Sequence, residues 1–193
     1  MIAPDKQNEY IVGEYTFINY VNLNIEQKLE ILNWRNQDIV REKMYNTDII
    51  SQESHLAFID KLPTRTDCSY WYISKNGQYV GSYNITSYDE INNVCETGLF
   101  FKDTSLRGLP DCIKISLAAL ELTLNTLGIC ELTGFTKHDN YFMLSINKFI
   151  GLELYPVNAE GFVEQHLTAC KFKSINKSDL TFRKYINQLN KLK

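Results

Sequence analysis

No apolar run in this chain approaches the roughly 18 residues that a membrane-spanning helix needs. The N-terminus lacks the charged-then-apolar pattern of a secretory leader, so the expectation is a cytoplasmic protein with no membrane partner. An excess of basic residues is also missing. The net charge is −3, which gives no global reason to expect nucleic acid as a partner. Lys184, Lys191 and Lys193 near the C-terminus read as a solvated helix face. Paired cysteines are absent: Cys68, Cys95, Cys112, Cys130 and Cys170 are widely spaced and form no CxxC, so neither a redox motif nor zinc or another metal is expected. Cys95, Cys130 and Cys170 sit in strand-like runs and Cys112 in a helical one, and all are expected to be buried thiols. There is no internal repeat and no low-complexity linker.

What is present suits one globular unit. The 193 residues, 44 % hydrophobic and 22 % charged, are long enough for a real core and are read as a single domain, 1–193. Twelve tyrosines and ten phenylalanines are many for this length. Such rings bury large areas and also line sites for flat or sugar-like ligands.

Along the chain, a strand is expected near Tyr15–Val21. Asn24 with Gln27 forms a capping-box pattern that opens a helix with Leu29, Ile31 and Leu32 inward. Asp38 is read as the cap of a short helix reaching Met44. Ser51 caps another, with His55, Leu56, Phe58, Ile59 and Leu62 on one face and Pro63 as its stop. Two β runs, 69–75 and 78–86, flank Asn76-Gly77, a dipeptide that favours a type I′ hairpin turn. Val94–Phe101 reads as a buried strand. Pro110 then opens a helix with Ile113, Leu117, Leu120, Leu124 and Leu127 at 3–4 residue spacing, closed by Gly128. A strand over 130–137, a short helix over 140–149, a strand over 162–173 and a C-terminal helix over 180–192 complete the order. That order describes a mixed α/β domain around a central sheet. Strand, polar loop and helix N-terminus between Val94 and Gly128 present backbone N–H groups to an anion, or form an ordinary βα unit.

This order, with specific residues, resembles the GCN5-related N-acetyltransferase superfamily (GNAT), and within it the sugar-nucleotide N-acetyltransferases of the pseudaminic acid pathway. The resemblance rests on Trp34-Arg35-Asn36, on Met44-Tyr45-Asn46-Thr47, and on Ile50-Ser51 with His55-Leu56-Ala57-Phe58-Ile59. It continues through the Tyr72–Thr86 hairpin, Glu96-Thr97-Gly98-Leu99-Phe100, Asp139-Asn140 and Asn147-Lys148-Phe149-Ile150-Gly151. It implies an α/β (α+β) GNAT fold: a central, mostly antiparallel mixed sheet with a splayed strand pair, flanked by helices. The loop departs from the family's glycine-rich pattern. It reads Arg107-Gly108-Leu109-Pro110-Asp111, with one glycine, a proline that lacks an N–H, and a carboxylate. Asn147 stands where the family commonly has a tyrosine facing the leaving thiolate.

The implied activity is transfer of the acetyl group of acetyl-CoA, without a metal, to an amine of a nucleotide-linked deoxyamino sugar of the UDP-4-amino-4,6-dideoxy type. Positioning two substrates together supplies much of such a rate enhancement. By the resemblance, Leu99, Phe100, Phe101, Arg107, Gly108, Leu109, Asp111 and Asn140 hold the cofactor, with a carbonyl-polarising N–H near Leu99–Phe101. Glu96 and His55 are candidate bases for the amine. Asn147 is a hydrogen-bond donor to sulfur that cannot supply a proton, with Tyr141 as the alternative donor. Arg35, Met44, Tyr45, Tyr83 and Asn84 are assigned to the acceptor: Arg35 to its diphosphate, and Met44, Tyr45 and Tyr83 to a wall for the sugar methyl and uracil. Each has a plainer reading: Glu96 a solvent-facing strand residue, His55 a core histidine, Arg35 an ion pair with Asp38 or Asp48, Asn140 a helix cap, and the aromatics core. The partner is a small molecule, and a homodimer is left open. Two other functions remain: acetylation of a protein or ribosomal-protein N-terminus, and a non-catalytic acyl-CoA-binding domain.

Overall fold

A computed structural model describes residues 6, 9–102 and 110–175 of the chain. Strands β1 (Tyr10–Val12), β2 (Tyr15–Asn19), β3 (Ser69–Lys75), β4 (Gln78–Asp89), β5 (Val94–Phe101), β6 (Glu131–Lys137), β7 (Glu153–Val157) and β8 (Phe162–Thr168) form one eight-stranded sheet in the order β1-β2-β3-β4-β5-β6-β8-β7. Every neighbouring pair is antiparallel except β5–β6. These two are joined through a helix, the crossover that a parallel pair requires.

The helices are α1 (Ile25–Arg35), α2 (Asp38–Arg41), α3 (Gln52–Lys61), α4 (Pro110–Glu121), α5 (Tyr141–Phe149) and α6 (Ala169–Ser174). The capping box is formed: Gln27 N–H donates to Asn24 Oδ1 at 2.9 Å, and Asn24 N–H donates to Gln27 Oε1 at 3.1 Å. Ser51 Oγ accepts from Ser54 N–H at 3.1 Å and caps α3. The β3–β4 turn has positive φ at Asn76 (52°) and Gly77 (75°), as a type I′ turn demands.

Several expectations are corrected. The first long strand stops at Asn19, whose side chain accepts from Val21 N–H and turns the chain into a 3-10 turn. The helix expected to reach Met44 ends at Arg41, and Asp38 pairs with Arg41 at 2.7 Å instead of capping it. The last predicted strand stops at Thr168, where the Thr168 hydroxyl caps α6. Strands β1 and β7, short and at the sheet edges, were not expected. Cys130 and Cys170 are exposed, and Cys170 lies in a helix. The expected C-terminal helix and its lysines lie outside the described residues.

Period-two side-chain alternation builds two cores from one sheet. On one face, Phe17, Trp71, Ile73, Ile85, Cys95 and Phe101 pack under α4, α5 and α6. On the other, Tyr72 and Tyr79 pack with Tyr20, Leu23, Ile31, Ile59 and Leu62 under α1 and α3. Trp71, Phe17 and Phe172 have no exposed surface, so truncating any one costs about 3–5 kcal/mol. α4 is buried on more sides than its leucine spacing implied, with Cys112, Ile115, Ser116, Ala118 and Ala119 inside as well. Its continuation, Leu122–Thr126, winds as a π-helix, closed by Leu127 N–H to Leu122 O at 2.8 Å.

Candidate active site

β5 and β6 pair only over Val94–Glu96 and Glu131–Thr133. Beyond Glu96 the two strands diverge, and a cleft opens between them. Thr97–Phe101 forms one wall, Phe135 and Thr136 the other. α4 and α5 flank one mouth, and Val40, Lys43 and Met44 flank the opposite one. The gap therefore passes through the sheet and joins its two faces.

The register decides which backbone groups face this gap. Lys102 N–H donates to Val80 O at 3.0 Å, so in the β4–β5 ladder the hydrogen-bonding residues of β5 are Phe100, Gly98 and Glu96. The intervening Thr97, Leu99 and Phe101 turn their main-chain groups toward β6. Two contacts agree with this phase: Thr133 Oγ1 donates to Cys95 O at 3.5 Å, and Thr97 O lies 3.2 Å from where a Cβ on Gly134 would sit. With β6 gone beyond Thr133, the N–H groups of Leu99 and Phe101 are left to the cleft. A thioester-bearing arm fits such a place, because it offers amide and carbonyl groups to strand-like donors between apolar walls.

Glu96 is the last residue at which β5 remains paired to β6, opposite Thr133 on one side and Thr86 on the other. It shares a face with Gly98 and Phe100, on the α1–α3 side. It makes no ion pair or hydrogen bond to the described residues, and burial holds its carboxyl above the usual carboxylate range. Its side chain does not line the cleft and stands where the two strands begin to part.

The cleft floor carries a buried polar chain. Asn147 Nδ2 donates to Gln165 Oε1 at 2.8 Å, and Gln165 Nε2 donates to Thr136 Oγ1 at 2.9 Å. Asn140 also lines the cleft and caps α5, its Oδ1 accepting from Met143 N–H at 3.4 Å. Met44 lines the far mouth. Beside it Tyr45, 60 % exposed, stacks on Phe162 at 4.1 Å and meets Phe135 edge-on.

Of the remaining expected residues that are described, Tyr83 lines the cleft and the others do not. His55 does not line the cleft. It is 6 % exposed, and its Nε2 must carry a hydrogen, because its partner at 2.9 Å is the carbonyl of Lys28 in α1. Burial lowers its pKa. Arg35 donates to Asn46 O at 2.8 Å, Arg41 donates to Thr47 O, and Asn36 brackets Ile50 with bonds of 2.8 and 3.0 Å. The Trp-Arg-Asn block thus clamps the segment that carries Met44 and Tyr45, and Arg35 pairs with neither Asp38 nor Asp48. Tyr83 borders the cleft from the α4 side. Thr123 Oγ1 already donates to Ala119 O, so the Tyr83 hydroxyl donates to Thr123, at 2.6 Å. Asn84 lies across the strand from Gly98, with Oδ1 2.7 Å from where a Cβ there would be, and does not line the cleft. The Asp111 carboxylate turns toward Lys75 at 3.5 Å and Lys114 at 3.8 Å, away from the cleft. Tyr141 is 64 % exposed and does not line it either. Arg107, Gly108 and Leu109 lie outside the described residues.

Gln165, Thr136 and Lys43 were missed. Gln165 had a signal: it interrupts the inward row Val163, Leu167 of β8 with a polar group, and a buried amide needs partners.

No family model matches the chain. Among solved structures, the chain is similar to the N-acetyltransferase PseH of Campylobacter jejuni (18 % identity, TM-score 0.63, covering 80 % of this chain and 98 % of that one). It is similar to the same protein in complex with acetyl coenzyme A (19 %, TM-score 0.62, 80 % and 98 %). It is also similar to spermidine N-acetyltransferase from Vibrio cholerae in complex with CoA and spermine (10 %, TM-score 0.75, 83 % and 99 %). With its eight-stranded mixed sheet, its one parallel pair splayed beyond Glu96, and these likenesses in backbone, the chain has the GCN5-related N-acetyltransferase fold.

Proposed function

We propose that this protein transfers the acetyl group of acetyl-CoA to an amine of a nucleotide-linked deoxyamino sugar, of the UDP-4-amino-4,6-dideoxy type. The observation that carries the reading is the gap through the sheet. A cofactor arm entering from the α4–α5 side and an acceptor entering past Met44 meet beside Glu96, and positioning of that kind is the larger part of a two-substrate reaction. Acetyl-CoA supplies an activated acyl carbon. The N–H groups of Leu99 and Phe101 hold and polarise its carbonyl. Glu96, unpaired among the described residues and with a raised pKa, accepts the amine proton directly or through water. Asn147 donates a hydrogen bond toward sulfur.

The acceptor class is supported by charge. Among the described residues no carboxylate lines the cleft itself, Glu96 standing just outside the lining where the strands part, and the one charged lining residue is Lys43, paired with Asp139 at 2.8 Å. A polycationic acceptor wants carboxylates there; an anionic nucleotide sugar does not. The resemblance in the Trp34–Asn36 and Met44–Thr47 blocks supports the same class.

The test is thiol release from acetyl-CoA with UDP- and dTDP-linked 4-amino-4,6-dideoxy sugars, with spermidine and an unblocked peptide run in parallel. Release with a sugar alone is the expected result. Release with spermidine or peptide alone overturns the acceptor class. CoA binding without release from any acceptor overturns catalysis.

A further inference from the structure

Gln165 has no part in the chemistry above, yet it sits at the base of the cleft, 5 % exposed and bonded at both ends. It is on β8, two strands away from the wall formed by β5. Its neighbourhood is tight: a Cβ on Gly134 would lie 3.2 Å from Gln165 Nε2, so a larger residue at 134 would press on the amide. Thr136 fixes one end of the amide, and the other end faces Asn147. The Asn147 carboxamide therefore cannot rotate without breaking a buried bond, and an unpaired buried amide is costly. Reversing both amides together leaves the same outcome, because Asn147 still retains at least one N–H not used by Gln165. Its remaining polar capacity meets no described residue.

Among the described residues, the rest of the lining lacks a general acid. Among the described lining residues, only Lys43 and Tyr83 are ionisable. Lys43 is held by Asp139, and the Tyr83 hydroxyl is spent on Thr123.

We propose that Gln165 is a positioning residue that orients the Asn147 amide as a side-chain donor to the cofactor sulfur, so that the thiol leaves as a hydrogen-bonded thiolate without a general acid. The inference rests on the acetyl-CoA reading and deepens it. As the C–N bond forms, the C–S bond breaks with its electron pair on sulfur. The amine proton goes to Glu96 or water, and the thiolate takes a proton from solvent after release. A CoA thiol, with an ordinary pKa on the order of 8–9, tolerates this.

The test compares binding of CoA with desulfo-CoA by calorimetry, in wild type, Gln165→Leu and Gln165→Glu. Wild type should prefer CoA by about 3- to 10-fold, the range of one neutral hydrogen bond. Gln165→Leu should lose that preference while holding desulfo-CoA within about twofold of wild type. Gln165→Glu should keep it, because its carboxyl accepts from Asn147 in either protonation state. A preference that survives in Gln165→Leu overturns the proposal, as does its loss in Gln165→Glu. A wild type that binds CoA without preference also overturns it, and leaves the transferase reading standing. A wild type that binds neither probe overturns both. Should Gln165→Leu not fold, Thr136→Val cuts only the far anchor: a preference reduced by about half or more supports the proposal, and an unchanged one overturns it.

Discussion

Gly81→Ala probes how the wall of the cleft is held. Gly81 lies opposite Phe101, beside a bulge where Ile73 pairs with Gly81 and Ser74 with Tyr79, so that Val80 is the extra residue. A Cβ at Gly81 would lie 2.5 Å from Phe100 O and 3.4 Å from Phe101 Cα, both main-chain atoms. Real Cβ contacts essentially never fall below 3.0 Å, so β5 must retreat by at least 0.5 Å, the difference between 3.0 and 2.5 Å. Overpacking of this kind costs about 1–3 kcal/mol. For a chain of this size that lowers Tm by roughly 2–12 °C. Gly98→Ala is the control. Its Cβ would meet Asn84 Oδ1 at 2.7 Å, a side-chain atom that can swing away, and its cost should be under about 1 kcal/mol. The retreat in Gly81→Ala also shifts the N–H groups of Leu99 and Phe101, so CoA should bind more weakly there than in Gly98→Ala. Thermal melts by circular dichroism and CoA titrations check both halves. A Gly81→Ala melt within about 1 °C of wild type, or a Gly98→Ala protein less stable than Gly81→Ala, refutes the reasoning.

Glu96→Gln should lower kcat by about 10²- to 10⁴-fold. In wild type, kcat/KM should rise with pH through a group titrating above an ordinary carboxylate; a Gln variant with full turnover removes the base assignment. The same variant should be more stable than wild type near neutral pH and not at low pH. The raised pKa means that the folded state binds protons more tightly, and stability is lost as pH rises through it. His55→Ala should cost about 1–3 kcal/mol in urea denaturation, through lost packing and the lost bond to Lys28 O, and leave kcat of the folded enzyme unchanged. For His166, burial lowers the pKa, but the bonds to Glu131 and Glu164, both 2.8 Å, raise it further, and the net shift is upward. Its contribution to stability should be full below the unfolded pKa and fade as pH rises through the folded one. A Gln at 166 should flatten that part of the urea-midpoint profile.

Much of the framework was legible because its signals are local. Asn24 and Gln27 are three residues apart, and Asn76-Gly77 needs only its own backbone angles, so both could be read without any partner. The bounds of β5 were legible for the same reason. The short edge strands β1 and β7 were not, since three to five residues acquire strand geometry only from the neighbour they pair with. His55 and Arg35 share a lesson. Sequence could say that each is a polar group near a helix; only packing decides that one meets the Lys28 carbonyl and the other the Asn46 carbonyl. Asp111 is the converse case. Near the loop in sequence, it is drawn aside by Lys75, which is 36 residues away.

Sequence by itself determined the order of β2 to β6 and β8 with α1 to α5 among them, the Asn24 and Ser51 caps, the Asn76-Gly77 turn, the place of Glu96 and Leu99–Phe101 on one strand, and the polar residue at 147. The tertiary structure decided where β5 leaves β6, which N–H groups that departure frees, and that Gln165 and Thr136 hold Asn147. The division follows from range. Caps, turns and side-chain periodicity depend on neighbours a few residues apart, whereas the cleft exists because two strands joined through a helix part after Glu96 and Thr133, and its floor joins Thr136, Asn147 and Gln165 from three separate elements.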